Sequence, residues 1–249
     1  MTKVECVRLT IENRTARLEL TRPEVLNAID DRVCDQLMKH MDAIVSDSLA
    51  SVVVIHGAGE RAFSAGADLT FMRNLVQDGL RRFIEKTWIV FDRIATAPIV
   101  SIAALHGYVL GGGAEIALAC DFRVIETNAQ IGFPEMTLGS VPGSGAMQRL
   151  PRLVGYSQAL DLVTGGQRLD GEAAMRIGLA NRLAPAKAGL SVALEWASKL
   201  ADRPPEALRY AKACASLDPN AVIAPMLHGL ISSACQSAKG YRETTTRFS

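Results

Sequence analysis

The 249-residue chain is 49% hydrophobic and 21% charged, the balance of an ordinary folded protein rather than a disordered one. That length allows one large α/β domain or two small ones, and either can bury a substantial core. A formal net charge of +1 supplies no field to attract nucleic acid or an anionic membrane, so neither is expected as a partner, although local patches leave small anions open as ligands.

Val7, Leu9 and Ile11, then Ala16, Leu18 and Leu20, alternate around Asn13-Arg14-Thr15 and predict a hairpin with one buried face. Val33, Leu37, Met41, Ile44 and Val45 recur at helical spacing and predict an amphipathic helix from Asp31 to about Ser48. The continuous apolar run from Ser51 through Val52, Val53 and Val54 to Ile55 reads as a parallel strand buried on both faces. After a glycine-bearing loop, Asp68 is placed to cap a helix beginning near Leu69. A second helix spans Leu80 to about Ala95 and ends before Pro98, and Ile99 to Leu105 returns as a strand. Strand, loop and helix then repeat through HGYVLGGGAEIALACD, and Phe122 to Glu126 forms a further strand. Beyond Pro142 the pattern is mainly helical: 146–153, 158–164, 172–177 and 190–200, with a short strand at Arg182 and Leu183. Pro204-Pro205 marks a joint before two last helices and a polar tail from Gln236.

The stretch 94–114 carries no Asp, Glu, Lys or Arg and is long enough to span a bilayer, but Pro98, His106 and four glycines would break a lipid-exposed helix. Two buried strands, or a strand and a turn, suit it better. The cysteines at 6, 34, 120, 214 and 235 form no C-x-x-C pair, so neither a metal site nor a disulfide framework is expected. With an N-terminus lacking a signal-peptide core, they suggest a cytoplasmic setting.

Two glycine-bearing loops each follow a buried strand and precede a helix: Ala62-Phe63-Ser64-Ala65-Gly66-Ala67-Asp68 and Gly111-Gly112-Gly113-Ala114-Glu115. The first amides of a helix lack intrahelical acceptors, so such junctions can hold an anion or a developing oxyanion; tight strand–helix packing explains the glycines equally well. Neither loop is a nucleotide fingerprint, because Ile116 stands where the third glycine would be and no G-x-x-x-x-G-K-[ST] occurs. Glu115 in the first turn of an apolar helix fits the helix dipole or catalysis. Glu135 precedes a second glycine-rich loop, Gly139-Ser140-Val141-Pro142-Gly143-Ser144-Gly145. Two carboxylates beside such backbone suggest acid–base work, but spacing alone does not bring them together. His106 is read as structural, and Met72, Phe83, Trp88 and Phe91 as core or acyl-pocket lining.

In their order along the chain, segments 62–69, 107–121 and 132–150 resemble the three signature regions of the enoyl-CoA hydratase/isomerase family, the crotonases. Arg22-Pro23-Glu24-Val25-Leu26-Asn27-Ala28 resembles that family's N-terminal motif, and the match weakens only after about Pro204. The resemblance implies an α/β fold: a crotonase-like spiral of ββα units (1–195) with a helical C-terminal region (196–249) for oligomer packing, assembled as a homotrimer or a dimer of trimers. It implies an acyl-CoA substrate, with coenzyme A arriving as part of it and no separate cofactor or metal. The amides of Ala67 and Gly112 would form the oxyanion hole. Glu115 would deprotonate a water held with help from the Gly143 amide, and Glu135 would protonate C2. Ala65 would offer its carbonyl to the adenine, and Asp68, Leu69 and Thr70 would complete the substrate-binding segment, with Asp68 foremost a helix cap. Both glutamates together favour hydration of a 2-enoyl-CoA. The competing readings are isomerisation, dehydration or a specialised substrate, and, from another class, an idle acyl-CoA- or RNA-binding relative.

The chain departs from the family pattern at Glu24 and Thr70, where lysines are frequent, leaving Arg22 as one candidate partner for the CoA phosphates. The C-terminal stretch QSAKGYRETTTRFS also departs from it, which puts the role of that segment in trimer packing or CoA binding in question.

Overall fold

The computed structural model describes residues 4–47, 50–216 and 224–237. Strands β1 (Val7–Glu12) and β2 (Thr15–Leu20) form the expected hairpin, with Leu9 opposite Leu18. The turn is tighter than the pattern suggested. Asn13 (φ 48°) and Arg14 (φ 61°) alone make it, both left-handed, which matches the twist of the strands, and Thr15 already pairs with Glu12. Helix α1 (Asp31–Asp47) buries Val33, Leu37, Met41 and Ile44; its expected end at Ser48 lies outside the described residues.

The chain then winds as a spiral in which each turn contributes one strand to each of two sheets. The first turn is β3 (Val52–Gly57), β4 (Ala62–Ser64), α2 (Leu69–Arg73) and α3 (Gln77–Thr96). The second is β5 (Val100–Leu105), β6 (Tyr108–Leu110) and α4 (Gly112–Ala119). The third is β7 (Phe122–Glu126), β8 (Gln130–Gly132), a 3₁₀ turn at Pro134–Leu138 and α5 (Ala146–Val154). Then come α6 (Tyr156–Gly165), β9 (Arg168–Leu169), α7 (Gly171–Arg176), β10 (Arg182–Ala184), α8 (Gly189–Ala201), α9 (Pro205–Ala215) and α10 (Ala224–Ser237). The larger sheet has the order β1-β2-β3-β5-β7-β10, parallel apart from the hairpin; the smaller has β4-β6-β8-β9, with only β9 antiparallel. Strand β6 realises the two-strand alternative for 94–114, whereas β4 falls in a stretch read as loop and β8 in one given no element.

The larger sheet is apolar on both faces. Val53 and Ile55 point into the main core with α1, α3 and α4, whereas Val52, Val54 and Ile102 meet Ala193, Ala197 and Ala201 of α8. The expected division at residue 195 falls inside α8, which packs on the sheet through Ala193, Ala197 and Ala201. Residues 94–114 resolve into the end of α3, strands β5 and β6 and the start of α4. No described helix is long and apolar enough to cross a membrane.

Helix α4 is fixed from its C-terminal end by Arg123, which is 2% exposed. Its Nη1 donates to the Cys120 carbonyl at 2.8 Å and to the Ala117 carbonyl at 3.3 Å, and its Nε donates to Leu179 at 2.7 Å. Those α4 carbonyls would otherwise be orphaned, and the cation opposes the negative end of the helix dipole. No carboxylate pairs with Arg123 among the described residues, and burial lowers its pKa, so its charge rests on these carbonyls. Arg123→Met should destabilise the fold by about 1–3 kcal/mol for each buried carbonyl left without a donor. A fall in the urea midpoint with an unchanged m-value would show it.

Candidate active site

The two glycine-bearing loops meet at the edge of the smaller sheet. Gly113 packs so closely on β4 that a Cβ there would overlap the Ser64 carbonyl, which explains one glycine by close approach alone. Ser64 Oγ donates to the Asn27 carbonyl at 2.9 Å and accepts from the Gly66 amide at 3.2 Å. Asn27 Nδ2 in turn donates to the carbonyls of Ala58 (3.0 Å) and Ala62 (2.8 Å), so the N-terminal motif braces the first loop. Arg22 belongs to the same brace. It donates to the Ala28 carbonyl at 2.6 Å and lies 3.3 Å from Asp30 and 3.1 Å from Asp68. It is buried and committed, which removes it as a partner for CoA phosphates.

Asp68 caps α2 as expected, accepting from the Thr70 and Phe71 amides at 3.1 and 3.0 Å. Burial acts to raise its pKa, but the Phe71 amide and Arg22 outweigh that and hold it below the usual range. Its carboxylate is thereby occupied structurally.

Two amides are left over. A parallel bridge pairs Ile29 with Ala67 through Ile29 N–H to Gly66 O and Asp68 N–H to Ile29 O, both 2.8 Å. In that pattern the Ala67 N–H faces the opposite side of the strand. Gly112 is the first residue of α4, so its N–H has no intrahelical acceptor. Among the described residues neither amide donates to a protein acceptor. They share one small space. A Cβ at Gly66 (φ +95°) would lie 3.1 Å from Gly112 N, and one at Gly112 would lie 3.6 Å from Ala67 N.

The two carboxylates flank this point in unlike surroundings. Glu115 on α4 is 3% exposed, and its Oε1 accepts from the Ser144 amide at 2.7 Å and the Ala146 amide at 3.1 Å. Burial raises its pKa, opposed by those amides, the Ser144 hydroxyl and Arg149. Glu135, in the first turn of the 3₁₀ segment, lies over Gly111: a Cβ there would be 3.0 Å from its Oε1. Its Oε2 is buried without a partner among the described residues. Burial, together with the charge of Glu115 and against its own amide, pushes Glu135 up to about 7. The arrangement holds one carboxylate supplied with amide donors beside a half-buried carboxyl group one of whose oxygens receives no donor from the described residues.

A family model described as enoyl-CoA hydratase/isomerase matches residues 10–222. The chain belongs to the enoyl-CoA hydratase/isomerase family. It is 36% identical over 201 residues to the short-chain-enoyl-CoA hydratase of Clostridium acetobutylicum, covering 81% of this chain and 77% of the relative. It is 38% identical over 201 residues to the 2,3-dehydroadipyl-CoA hydratase of Escherichia coli K12, covering 81% and 78%. The crystal structure of an enoyl-CoA hydratase from Bacillus anthracis superposes with a TM-score of 0.94 at 29% identity, over 98% of this chain and 96% of that one. The spiral and its two loops are thus the fold of the enoyl-CoA hydratase/isomerase family, as their motifs suggested.

The remaining expected residues cluster around the same loops. Ala65 donates its amide to the Leu26 carbonyl at 2.9 Å, and no described group donates to its own carbonyl. Leu69 is 46% exposed and Thr70 is exposed beside it. Gly143 lies against Ile84 of α3, one residue before the amide that holds Glu115. The amides of Ser144 and Ala146 escaped the sequence reading. Their signal was the glycine-rich approach to α5, whose first amides are free to bind a carboxylate. A surface cavity of about 240 Å³ between α1 and α3, lined in part by Cys34, Met38, Lys86 and Ile89, includes none of these residues. No group of three metal-ligating side chains occurs among the described residues.

The elevated Glu135 pKa has a stability consequence. Its folded value of about 7 exceeds the ordinary 4.5, so the neutral form's stabilisation is complete below pH 4.5 and is lost as pH rises through 7. Glu135→Gln should therefore melt at a higher temperature than the wild type above pH 7, with the gain vanishing at acid pH. Thermal melts from pH 4 to 9 measure this.

Proposed function

We propose that the protein adds water to a 2-enoyl-CoA thioester to give the 3-hydroxyacyl-CoA, making it a hydro-lyase. The observation that supports the reading is the pair of unlike glutamates, one bound by two amides and one with a buried oxygen that receives no donor, beside two unclaimed amides. The thioester oxygen accepts from Ala67 and Gly112 N–H, which stabilise the enolate more than the ground-state carbonyl. One such donor contributes about 2.7–4 kcal/mol to the transition state.

Conjugation with the thioester makes C3 electrophilic. A water aligned by Glu115 and the Gly143 amide forms the O–C3 bond while its proton passes to Glu115. The C2–C3 π pair moves into the enolate held by the two amides. As the enolate collapses, the Glu135 O–H bond breaks and C2 gains that proton. Glu115 ends protonated and Glu135 ionised, and one proton exchange with solvent restores both. The reaction needs Glu115 charged and Glu135 neutral: burial raises both, but the Ser144 and Ala146 amides and Arg149 oppose the rise at Glu115, whereas Glu135 is pushed up to about 7.

The Ala65 carbonyl is free to accept from the adenine amino group, with Asp68, Leu69 and Thr70 forming the adjoining wall. Coenzyme A enters as part of the substrate, and the chemistry calls for no further cofactor. Free cysteines suit a reducing compartment, and we place the protein in the cytoplasm. Exposed Met136, Leu138, Val141, Tyr156 and Leu160 support self-association as a homotrimer or dimer of trimers.

Purified protein should lower the ultraviolet absorbance of crotonyl-CoA. Glu115→Gln and Glu135→Gln should each cut kcat by roughly 10²–10⁴-fold, the range for losing a general acid or base. The high-pH limb of kcat/KM should fall near 7 and disappear in Glu135→Gln. Full activity in both variants would refute the mechanism. Light scattering on a sizing column checks assembly, and a monomer would contradict the expected trimer.

A further inference from the structure

Arg149 closes the first turn of α5, where its amide donates to the Gly145 carbonyl at 3.0 Å. Its side chain folds back over the N-terminus of the helix, so that a Cβ at Gly145 would overlap its Nη1. A cation is disfavoured at that end of the helix dipole, and its placement there calls for compensating partners. Three are present. Nη1 donates to the Ser144 carbonyl at 3.1 Å, and Nη2 donates to Asp92 Oδ1 at 3.1 Å. The guanidinium carbon lies 5.8 Å from the centre of the Trp88 ring, within cation–π range.

The carbonyl that Arg149 holds belongs to the peptide joining Ser144 to Gly145. The two amides that donate to Glu115, those of Ser144 and Ala146, flank that peptide on either side. Gly145 (φ +109°) is the residue of the turn with the most backbone freedom, so a rotation there would take an amide away from Glu115. Trp88 and Asp92 are one turn apart on α3. The same helix meets the turn directly: Thr87 Oγ1 is 2.6 Å from Ser144 Oγ, and a Cβ at Gly143 would lie 3.0 Å from Ile84 Cγ2. Helix α3 thus reaches the Glu115-binding turn twice by contact and once through Arg149.

We propose that Arg149 is a positioning residue: its guanidinium clamps the Ser144–Gly145 peptide so that both flanking amides stay on Glu115, and Asp92 and Trp88 hold the guanidinium in place. The purpose assigned to the clamp rests on the hydratase reading for Glu115. Among the described residues, Arg149 of α5 and Glu135 of the 3₁₀ turn are the charged or titratable groups that act on Glu115, and Asp92 of α3 faces Arg149. Arg149 also favours the ionised Glu115 through its charge, and Asp92 separates that effect from the clamp. Deleting the Asp92 charge leaves the attraction of Arg149 less offset, which favours ionised Glu115 and lowers its midpoint. Releasing the guanidinium lets the peptide turn, withdraws donors from the carboxylate and raises the midpoint. The two effects have opposite signs.

The test follows the Glu115 carboxyl carbon by ¹³C NMR titration, assigned by its absence in Glu115→Gln, and needs no substrate. Asp92→Ala and Arg149→Met should both move the Glu115 midpoint upward. Asp92→Asn, whose Oδ1 can still accept from Nη2, should leave it at or below the wild-type value. In the Arg149→Met background Asp92→Ala should add nothing, because its effect passes through the guanidinium. With crotonyl-CoA, the acid limb of kcat/KM should rise with the midpoint. Arg149→Met should lower kcat roughly tenfold, the scale of a hydrogen bond to a charged group, with KM nearly unchanged. Asp92 is half-exposed, so its variants keep the test open even if Arg149→Met does not fold. A midpoint that falls or stays in folded Asp92→Ala overturns the proposal, whatever the melting temperatures. An inactive wild type whose variants show the expected shifts would reject the hydratase reading instead and leave the clamp standing.

Discussion

The amides of Ser144 and Ala146 hold the Glu115 carboxylate, and this contact ties the second turn of the spiral to the third. A carboxylate with 3% exposure would be strongly disfavoured without donors. The first turn of α5 has amides that the helix cannot use, so each group solves the other's problem. Once that bond forms, the loop before α5 must lie across α4. Gly143 is then set beside Ile84, and the 3₁₀ turn carrying Glu135 is folded back over Gly111.

Burial raises the pKa of both glutamates, and the backbone compensates them unequally. Glu115 receives two amides and faces Arg149, so burial is partly offset. Glu135 has one oxygen with no donor and the charge of Glu115 nearby, so its proton is retained to about 7. The proposed reaction needs this asymmetry in a single site, a base ready to accept and an acid ready to give.

Much of this was legible in the sequence, and the failures have physical causes. Apolar periodicity located α1, β3, β5, β7 and α8, because burying one face or both leaves a repeating signature. It does not reach β4 or β8, which are only three residues each and too short for any period. The Asp68 cap followed from local chemistry and stands as expected. Arg22 was misjudged because a lone arginine in sequence carries no sign of the Asp30 and Asp68 partners that enclose it. Glu115 and Glu135 were identified by resemblance, while the amides that distinguish them come from residues 144 and 146, whose side chains give no hint of that role. Arg123, which anchors α4 from behind, was likewise unremarked, since its partners are all carbonyls or an amide oxygen.

The site therefore has two layers with different dependence on sequence. The paired amides of Ala67 and Gly112 are placed by chain path: a parallel bridge at Ile29, the packing of Gly113 on Ser64, and Arg123 on the last carbonyls of α4. Substituting the side chain at Ala67 changes none of those. The acid–base layer is carried by side chains on α4 and on the 3₁₀ turn, and it can be altered one residue at a time without moving the amides. On the proposed mechanism, a scaffold divided in this way would keep its oxyanion-binding amides while the proton chemistry around them changed. The proton chemistry then depends on the groups near residues 115, 135 and 144, whereas the fold depends on the braces beneath them.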